Sequence, residues 1–434
     1  IFGEDRVFHC GNITVLKEKI VQIEYFDDKI KEKKVTVEES VLNTEEVLDC
    51  TDMYVVPGFV DIHFHGCIGY DFSDASFLAI HKIYEYQLQN GITSIVPATM
   101  TLSKEELKKI FQIAGKYDEE NKGELSGITM EGPFLSKEKK GAQKEEYLLE
   151  PDYEFFRKMN DLCNHLIKQV AIAPEKDEDF SFIKKASKDT VVSLAHSMAD
   201  YERAGQAFQN GASHVTHLFN GMQPFSHREP GIVGAALDEK NVYVELICDG
   251  IHLHPAMVRG MFSLFGAERI CMISDSIRAT GMPEGQYTLG GQEVFVKEKV
   301  ARLKDGTIAG SICNLYECFK EAVLHMHIPL EEAITSCTIT PAKSLGLEKE
   351  CGVLLENRKA DILLPRHVLD SVRSVWYNNI NDGNEDFALI VGRYGYNQTQ
   401  FEELQKWYNI GRNINEEDLK LIVSEDSVNN GITY

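Results

Sequence analysis

Short apolar runs alternate with amphipathic stretches between residues 60 and 275 of this 434-residue chain. Strand-like runs that alternate with helical patterns are typical of repeated β-α units around a parallel sheet. Eight such runs match the strand count of a closed barrel, so the pattern predicts an α/β fold with a (β/α)8 TIM-type barrel. The predicted strands are residues 60–63, 93–97, 127–131, 170–174, 191–196, 214–217, 243–248 and 269–275.

A different pattern occupies the two ends of the chain. Apolar and charged residues alternate through the first 56 residues, as in a small antiparallel sheet with one solvated face. A short apolar run at 361–364 could rejoin that sheet, and turn-rich stretches at 286–307 indicate a hairpin insertion. We therefore expect a second, small β-sandwich domain built from both chain ends. The predicted divisions are 1–56 and 346–390 for the small domain, 57–345 for the barrel, 391–434 for a tail of unknown role, and an exposed hairpin or loop at 27–46.

Several predicted helices have recognisable ends. Ser103 and Glu106 have the spacing of a capping box, in which each side chain accepts from the backbone N–H of the other. Gly91 follows an amphipathic run at the place of a C-terminal cap, and Asp200 opens a helix that closes near Gly211. These signals place helices between the predicted strands, as a (β/α)8 barrel requires.

Composition narrows the class of partner and the compartment. The chain carries 45 Lys and Arg against 68 Asp and Glu, a formal charge of -23, which argues against nucleic acid or an anionic membrane as partner. An anionic substrate would need local basic residues. Ten dispersed cysteines without a C-x-x-C pair are typical of a reducing compartment. We find no apolar run of transmembrane length and no signal peptide, so the expected location is the cytoplasm.

Residues with metal-binding side chains follow the predicted strands. His63 and His65 are two residues apart at the first strand end, so their side chains share a face. Because barrel chemistry lies at the carboxyl ends of the strands, the other candidates should join them. Each alone is more often a structural residue, but together they predict a site for one or two divalent ions of zinc, iron, cobalt or manganese. The other four candidates are Glu131, His196, His217 and Asp275, whereas His214 is expected to be a core or surface residue.

These motifs also carry a family resemblance. The chain resembles the N-acetylglucosamine-6-phosphate deacetylases, a branch of the amidohydrolase superfamily, over about residues 1–380. The segments at 57–66 and 131–134 are general to the superfamily, whereas 216–228 and 249–252 are specific to this branch. The further shared segments are 195–196, 227–231, 274–281 and 309–311.

The resemblance implies a reaction and roles for the strand-end residues. The expected reaction is metal-dependent hydrolysis of the acetamide of N-acetylglucosamine 6-phosphate, which yields acetate and glucosamine 6-phosphate in amino-sugar catabolism. Glu131, His196 and His217 would hold one ion, and the intact pair His63 and His65 would permit a second. Asp275 would take a proton from the attacking water and pass it to the departing amine.

The resemblance also implies how the phosphorylated sugar is bound. Arg228 would contact the phosphate across the interface of a homodimer, and the less favoured alternative for this arginine is a surface salt bridge. His252 and the backbone amides of Asn220 and Gly221 would complete the cradle. Gln143 stands where some relatives have a histidine that contacts the acetyl carbonyl, so we expect an altered rate or substrate range. The remaining expected substrate-binding residues are Ala142, Ala309 and Gly310.

Three alternatives remain open. The substrate could be N-acetylgalactosamine 6-phosphate, which differs at one hydroxyl. A cyclic-amide hydrolase or a deaminase is disfavoured by the phosphate-cradle residues and by the fourth strand, which ends in Ala173-Pro174-Glu175 without a lysine. A catalytically silent sugar-phosphate-binding protein would be expected to lack a metal ligand or Asp275, and the chain retains them all.

Overall fold

The structure is a computed structural model that describes residues 1–26, 50 and 53–364 and the backbone of Ala388–Val391. The predicted loop at 27–46 and all of the predicted tail except its first residue lie outside the described residues. The described residues divide into two compact units: residues 59–352 form one, and the described parts of 1–58 and of the chain from 353 onward form the other.

The elements are numbered in chain order. The described strands are β1 (Gly11–Leu16), β2 (Lys19–Tyr25), β3 (Val56–Pro57), β4 (Phe59–Asp61), β5 (Gly66–Cys67), β6 (Tyr70–Asp71), β7 (Ile92–Ile95), β8 (Ile128–Met130), β9 (Ile167–Ile172), β10 (Val191–Leu194), β11 (His214–Val215), β12 (Tyr243–Ile247), β13 (Ile270–Ile273), β14 (Gly285–Leu289), β15 (Gln292–Lys297), β16 (Val300–Leu303), β17 (Asp361–Leu364) and β18 (Ala388–Val391). The described α-helices are α1 (Phe77–Gln89), α2 (Lys104–Glu120), α3 (Tyr153–Leu162), α4 (Ser181–Ala186), α5 (Tyr201–Gln209), α6 (Gly231–Asp238), α7 (Pro255–Phe265), α8 (Leu315–Leu324), α9 (Leu330–Cys337) and α10 (Ile339–Ser344).

The larger unit is a β/α barrel. Strand β4 pairs in parallel with β7, and β8 to β13 form a six-stranded parallel sheet in chain order. A parallel bridge between Ala98 and Thr129 joins the two sheets, and the N–H of Asp275 donates to the carbonyl of His63 at 3.0 Å. All eight predicted barrel strands are present and follow one another in chain order, which confirms the predicted TIM-type barrel.

Local sequence signals explain the helix ends. The predicted capping box is present at the start of α2. The side chains of Ser103 and Glu106 each accept from the backbone N–H of the other residue. Asp200 caps α5 by accepting from the N–H of Arg203. Gly91 follows α1 with φ at 78°, a backbone conformation that favours glycine. None of the described helices combines the length and the apolar character needed to cross a membrane.

The insertion after the eighth barrel strand is an antiparallel sheet. Strands β14, β15 and β16 pair in sequence, and Gly290 and Gly291 form the first turn with φ at 53° and 72°. The excursion predicted at 286–307 is therefore present as three strands.

The smaller unit contains two described sheets. Strands β1 and β2 form an antiparallel pair, and β17 lies between β3 and β18. The apolar run predicted at 361–364 is β17, and it pairs with Val56 and Pro57 near the start of the chain. The buried apolar core of this unit is formed by Ile1, Ile20, Leu354, Ala360, Ile362 and Leu364.

Candidate metal centre

Two groups of buried ligand-type side chains lie at the carboxyl ends of the barrel strands. Within each group the candidate ligand atoms all lie within 4.8 Å of one another. The groups bring together every residue that the sequence proposed as a metal ligand, together with the proposed base. One group is His63, His65 and Asp275, and the other is Glu131, His196 and His217.

The backbone is strained where three of these residues leave their strands. His196, His217 and Asp275 have φ values of 44°, 30° and 48°, in the left-handed region that residues other than glycine rarely adopt. Such conformations persist only where the surroundings enforce them, and they concentrate at functional sites. The turn of the chain at these three residues also explains why β10, β11 and β13 end before the predicted strands 191–196, 214–217 and 269–275 do.

The rings of His196 and His217 have the same orientation relative to the centre. Nδ1 of His196 lies 2.7 Å from the carbonyl of Lys139, and Nδ1 of His217 lies 3.1 Å from the carbonyl of Asn220. A carbonyl oxygen only accepts, so each Nδ1 carries the proton and each Nε2 of a neutral ring presents a lone pair. Both Nε2 atoms lie 3.1 Å from Oε1 of Glu131.

The other two histidines are held in the same way. Nδ1 of His65 lies 3.3 Å from the carbonyl of Ala98, and Nδ1 of His63 lies 3.1 Å from Oε2 of Glu245. Nε2 of His65 therefore faces the centre, 3.4 Å from Oδ1 of Asp275. Nε2 of His63 is buried and has no hydrogen-bond partner among the described residues. All four imidazoles thus offer Nε2 to the space between the two groups.

Glu131 lies between the groups. Its Oε1, which contacts His196 and His217, is also 3.5 Å from Nε2 of His63. Its Oε2 is 3.4 Å from Nε2 of His65. Four ring nitrogens and two carboxylates therefore converge in a buried space, where protonated rings or a bound cation must balance the negative charge. Nitrogen and oxygen donors with this arrangement fit a divalent metal ion, and Glu131 is placed to contact two.

The charges of the site shift its pKa values in a consistent direction. Burial disfavours the charged form of His65, but its bonds to Asp275 and Glu131 prevail and raise its pKa to about 10. Burial opposes ionisation of Glu131 and Asp275 as well, yet the surrounding histidines hold both carboxyl pKa values below their usual range. Both carboxylates are therefore ionised at neutral pH.

Gln143 is fixed beside Glu131. Its Oε1 accepts from the backbone N–H of Thr101 at 2.7 Å, and its Nε2 donates to Oε2 of Glu131 at 2.7 Å. Because a backbone N–H can only donate, the orientation of the carboxamide is determined. Gln143 is 3% exposed, so it lies inside the centre rather than at its rim.

His252 lies in the segment that follows β12 and is held by Asp249. The carboxylate of Asp249 accepts from Nδ1 of His252 at 2.7 Å and from the backbone N–H groups of Ile251 and His252. Burial opposes the charge on His252, but the carboxylates of Asp249 and Asp275 raise its pKa. The ring is therefore oriented with Nε2 away from Asp249.

The remaining predicted substrate residues occupy different surroundings. Arg228 is exposed and forms no ion pair with another described residue. The N–H of Asn220, expected in the phosphate cradle, donates instead to the carbonyl of His217 at 2.9 Å, because the chain turns there. A side chain on Gly221 would lie 2.8 Å from Nδ1 of His196, and one on Gly310 would lie 2.9 Å from the carbonyl of Asp275, so both positions require glycine.

Two other predicted residues contact the insertion. The carbonyl of Ala142 accepts from the side chain of Gln292, and the N–H of Ala309 donates to the carbonyl of Ala301 at 3.0 Å. The antiparallel sheet of the insertion is therefore bonded to the residues that immediately precede Gln143 and Gly310.

Sequence reasoning missed a polar layer beneath the centre. Glu245, Gln169 and His214 are fully buried, and Glu245 contacts the two others and His63. His214, expected to be a core or surface residue, lies in the core. Burial lowers its pKa to about 4. One signal was available, because Glu245 is the only charged residue in the apolar run of β12.

Comparison with known proteins agrees with this geometry. Residues 54–392 match the amidohydrolase family. An N-acetylglucosamine-6-phosphate deacetylase of Lysinibacillus sphaericus is 35% identical over 82% of this chain and 94% of its own length. An N-acetylgalactosamine-6-phosphate deacetylase of Escherichia coli O157:H7 is 32% identical over 74% of this chain and 85% of its own length.

A solved structure gives the same result for the fold. The crystal structure of N-acetylglucosamine-6-phosphate deacetylase from Pasteurella multocida superimposes with a TM-score of 0.77 and 29% identity, covering 85% of this chain and 93% of that one. The resemblance drawn from the motifs is confirmed. The chain belongs to the amidohydrolase family.

Proposed function

We propose that the chain hydrolyses the acetamide of N-acetylglucosamine 6-phosphate to acetate and glucosamine 6-phosphate, a step in amino-sugar catabolism. The observation that carries the proposal is the convergence of four imidazole Nε2 atoms and Glu131 beside the ionised carboxylate of Asp275. The relatives with this name match most of the chain, which supports the same substrate.

The cofactor is one or two divalent ions of zinc, iron, cobalt or manganese. Glu131, His196 and His217 would hold one ion, and His63, His65 and Asp275 would hold a second that is bound more weakly. A bound ion supplies Lewis acidity to the substrate carbonyl and lowers the pKa of water. A single ion per chain under saturating metal would contradict the second site.

Asp275 is the proposed general base and acid. Its carboxylate is ionised at neutral pH, so it can accept a proton from the attacking water as the new C–O bond forms. The same proton then passes to the nitrogen of the sugar as the C–N bond breaks, which releases acetate and an amine. The reaction consumes one water and one amide and yields one carboxylic acid and one amine, so no other reactant is needed.

The sugar phosphate is assigned to the exposed side of the centre. Arg228 has no described ion-pair partner and is free to bind a dianion, and His252 can donate from Nε2 when protonated. Arg228 would reach the site of a second chain in a homodimer. The other proposed contacts are Asn220, Gly221, Ala142, Gln143, Ala309 and Gly310.

One alternative substrate has specific support. The similarity to an N-acetylgalactosamine-6-phosphate deacetylase is nearly as high as that to the glucosamine enzymes. The two substrates differ in the configuration of one hydroxyl, so the same residues could serve either. The chemistry of Asp275 and the metal ligands would be unchanged.

The test is acetate release by purified protein supplied with Zn²⁺, Fe²⁺, Co²⁺ or Mn²⁺ in turn. Three substrates are compared: N-acetylglucosamine 6-phosphate, its galacto epimer and unphosphorylated N-acetylglucosamine. We expect turnover of the first that a chelator abolishes and added metal restores. Faster turnover of the galacto epimer would make N-acetylgalactosamine 6-phosphate the preferred substrate in place of N-acetylglucosamine 6-phosphate. Binding of either sugar phosphate without turnover under any metal would indicate a silent binding protein.

We also propose a small β-sandwich domain and a cytoplasmic location. The unit that contains β1, β2, β3, β17 and β18 is assigned as the small β-sandwich domain, because its strands come from both ends of the chain. No disulfide joins the cysteines of the described residues, which supports a reducing compartment such as the cytoplasm.

A further inference from the structure

Glu245 is a buried carboxylate to which the reaction assigns no role. It lies in the middle of β12, is 0% exposed, and accepts from three donors on three segments. Nδ1 of His63 and the backbone N–H of His217 both lie 3.1 Å from its Oε2, and Nε2 of Gln169 lies 2.8 Å from its Oε1. A buried charge persists only where hydrogen bonds of this kind compensate its desolvation.

The contact with His63 determines which nitrogen faces the metal centre. A carboxylate only accepts, so Nδ1 of His63 must carry its proton and Nε2 must offer its lone pair. A carboxylate behind a metal-ligating histidine also increases the basicity of the ring and fixes its orientation. The unpartnered, buried Nε2 of His63 is the atom that this arrangement presents.

Glu245 acts unequally on the two groups of ligands. The ring of His217 is oriented by the carbonyl of Asn220, and Glu245 touches only its backbone. The ring of His63 has no partner for Nδ1 among the described residues other than Glu245. Loss of the carboxylate should therefore weaken the group of His63, His65 and Asp275 and leave the group of Glu131, His196 and His217 nearly intact.

We propose that Glu245 is a positioning residue that sets the affinity of the ion held by His63, His65 and Asp275. The inference rests on the metal centre of the proposed function but not on the identity of the substrate. Ion binding is measured without substrate, so a failure here and a failure of the deacetylase assay are separate results.

Two substitutions separate the charge of Glu245 from its shape. In Glu245→Gln the carboxamide oxygen can still accept from His63, and its NH₂ can donate to Oε1 of Gln169 if that side chain rotates. Oε1 of Gln169 is buried and has no hydrogen-bond partner among the described residues, so the rotation supplies a missing contact. Glu245→Leu removes the acceptor altogether. Asp61→Asn is the matched control for a buried carboxylate that touches a ligand only through its backbone, because Asp61 is equally buried and accepts from Ser274 and from the backbone N–H of His63, but from no imidazole ring.

The experiment is equilibrium dialysis of the metal-free full chain against Zn²⁺ alone, with bound zinc counted by elemental analysis. His65→Ala identifies which of two binding steps belongs to the group of His63. We expect that step to weaken about 10-fold in Glu245→Gln and about 100-fold in Glu245→Leu, with the other step changed less than about threefold. Asp61→Asn should retain both steps.

Three results would overturn the proposal. These are two unchanged steps in both Glu245 variants, equal weakening of both steps, or a single bound ion in the unmodified chain. If Glu245→Leu does not fold, Glu245→Gln decides the question alone, because it preserves the shape and the contacts of the side chain.

Discussion

The Nε2 atoms of His196 and His217 lie 3.2 Å apart, with the two rings inclined at 84°. Both Nδ1 atoms face backbone carbonyls, so in the neutral rings two lone pairs point toward each other and toward Oε1 of Glu131. No neutral hydrogen-bond pattern satisfies this arrangement. A cation between the three atoms does, and both histidines have the left-handed backbone conformation that concentrates at functional sites.

Metal should therefore stabilise the folded chain. An ion that binds only the folded state adds about 2.7 kcal/mol at a concentration 100 times its Kd. We expect the melting temperature to fall by several degrees when a chelator removes the metal and to recover when Zn²⁺ is restored, measured by differential scanning fluorimetry. His217→Asn is the control and should lose most of the metal-dependent shift. Equal melting temperatures with and without metal would contradict the assignment.

Asp275→Asn should remove the proposed base while keeping the size of the side chain. The carboxamide cannot take the proton of water, so we expect kcat to fall by about 10²- to 10⁴-fold. Zinc content must be measured in parallel, because Oδ1 of Asp275 also lies 3.4 Å from Nε2 of His65 and belongs to one ligand group. Near-normal kcat in a variant that retains its metal would exclude Asp275 as the base.

Gln143→Ala tests the carboxamide that bonds to Glu131. Removal of a hydrogen bond to a charged group costs about 1.5–3 kcal/mol, which corresponds to about 10- to 150-fold in kcat/KM. Gln143→Glu is the informative companion, because a second carboxylate would face Oε2 of Glu131 at the 2.7 Å contact and repel it. We expect this variant to lose more activity than Gln143→Ala. Equal activity in all three proteins would show that the contact has no part in the reaction.

Arg228→Ala should raise KM for the phosphorylated sugar with little change in kcat. The preference for phosphorylated over unphosphorylated substrate should fall with it, since only the former carries the dianion that Arg228 binds. Lys108→Ala, which removes one exposed positive charge from α2, is the control for net charge. An unchanged KM in Arg228→Ala would remove Arg228 from the phosphate site.

Mixing two chains with different defects, one in kcat and one in KM, tests whether Arg228 acts across a dimer interface. In an equal mixture of Asp275→Asn and Arg228→Ala chains that exchange subunits, about a quarter of the sites would combine an intact Asp275 with an intact Arg228 of the partner. We expect the high-affinity activity to reappear in the mixture. Simple addition of the two separate activities would place Arg228 in the site of its own chain.

The barrel and the metal candidates could be predicted because each depends on a local pattern. Apolar runs fix the strands, and the residue after each run must lie at the same rim of the barrel. Glu245 was missed because its role depends on register between strands, which places it behind His63 although 182 residues separate them. The pairing of the Asn220 amide was missed for a similar reason, since a turn rather than an open loop follows His217.

His81 provides a pH-dependent stability that is separate from the metal centre. Its Nε2 lies 3.2 Å from Oε1 of Glu85 within α1, and its Nδ1 lies 3.6 Å from Oε2 of Glu124 and 3.3 Å from the hydroxyl of Tyr117. The bonds to Glu124 and Glu85 raise the pKa of His81 to about 9, above the unfolded value of 6.5. Its contribution is therefore complete below about pH 6.5 and disappears as the pH rises through about 9.

His81→Gln should thus lower stability at pH 6 and have almost no effect at pH 10. The side chain is 45% exposed, so screening by solvent limits the difference to about 0.5–1 kcal/mol. The measurement is the melting temperature of variant and unmodified protein at equal pH and metal concentration. His165→Gln is the control, because His165 is 73% exposed and lies 4.0 Å from Asp161. A difference for His81→Gln that stays constant from pH 6 to pH 10 would show that its charge does not stabilise the fold, because only the protonated ring attracts Glu85 and Glu124.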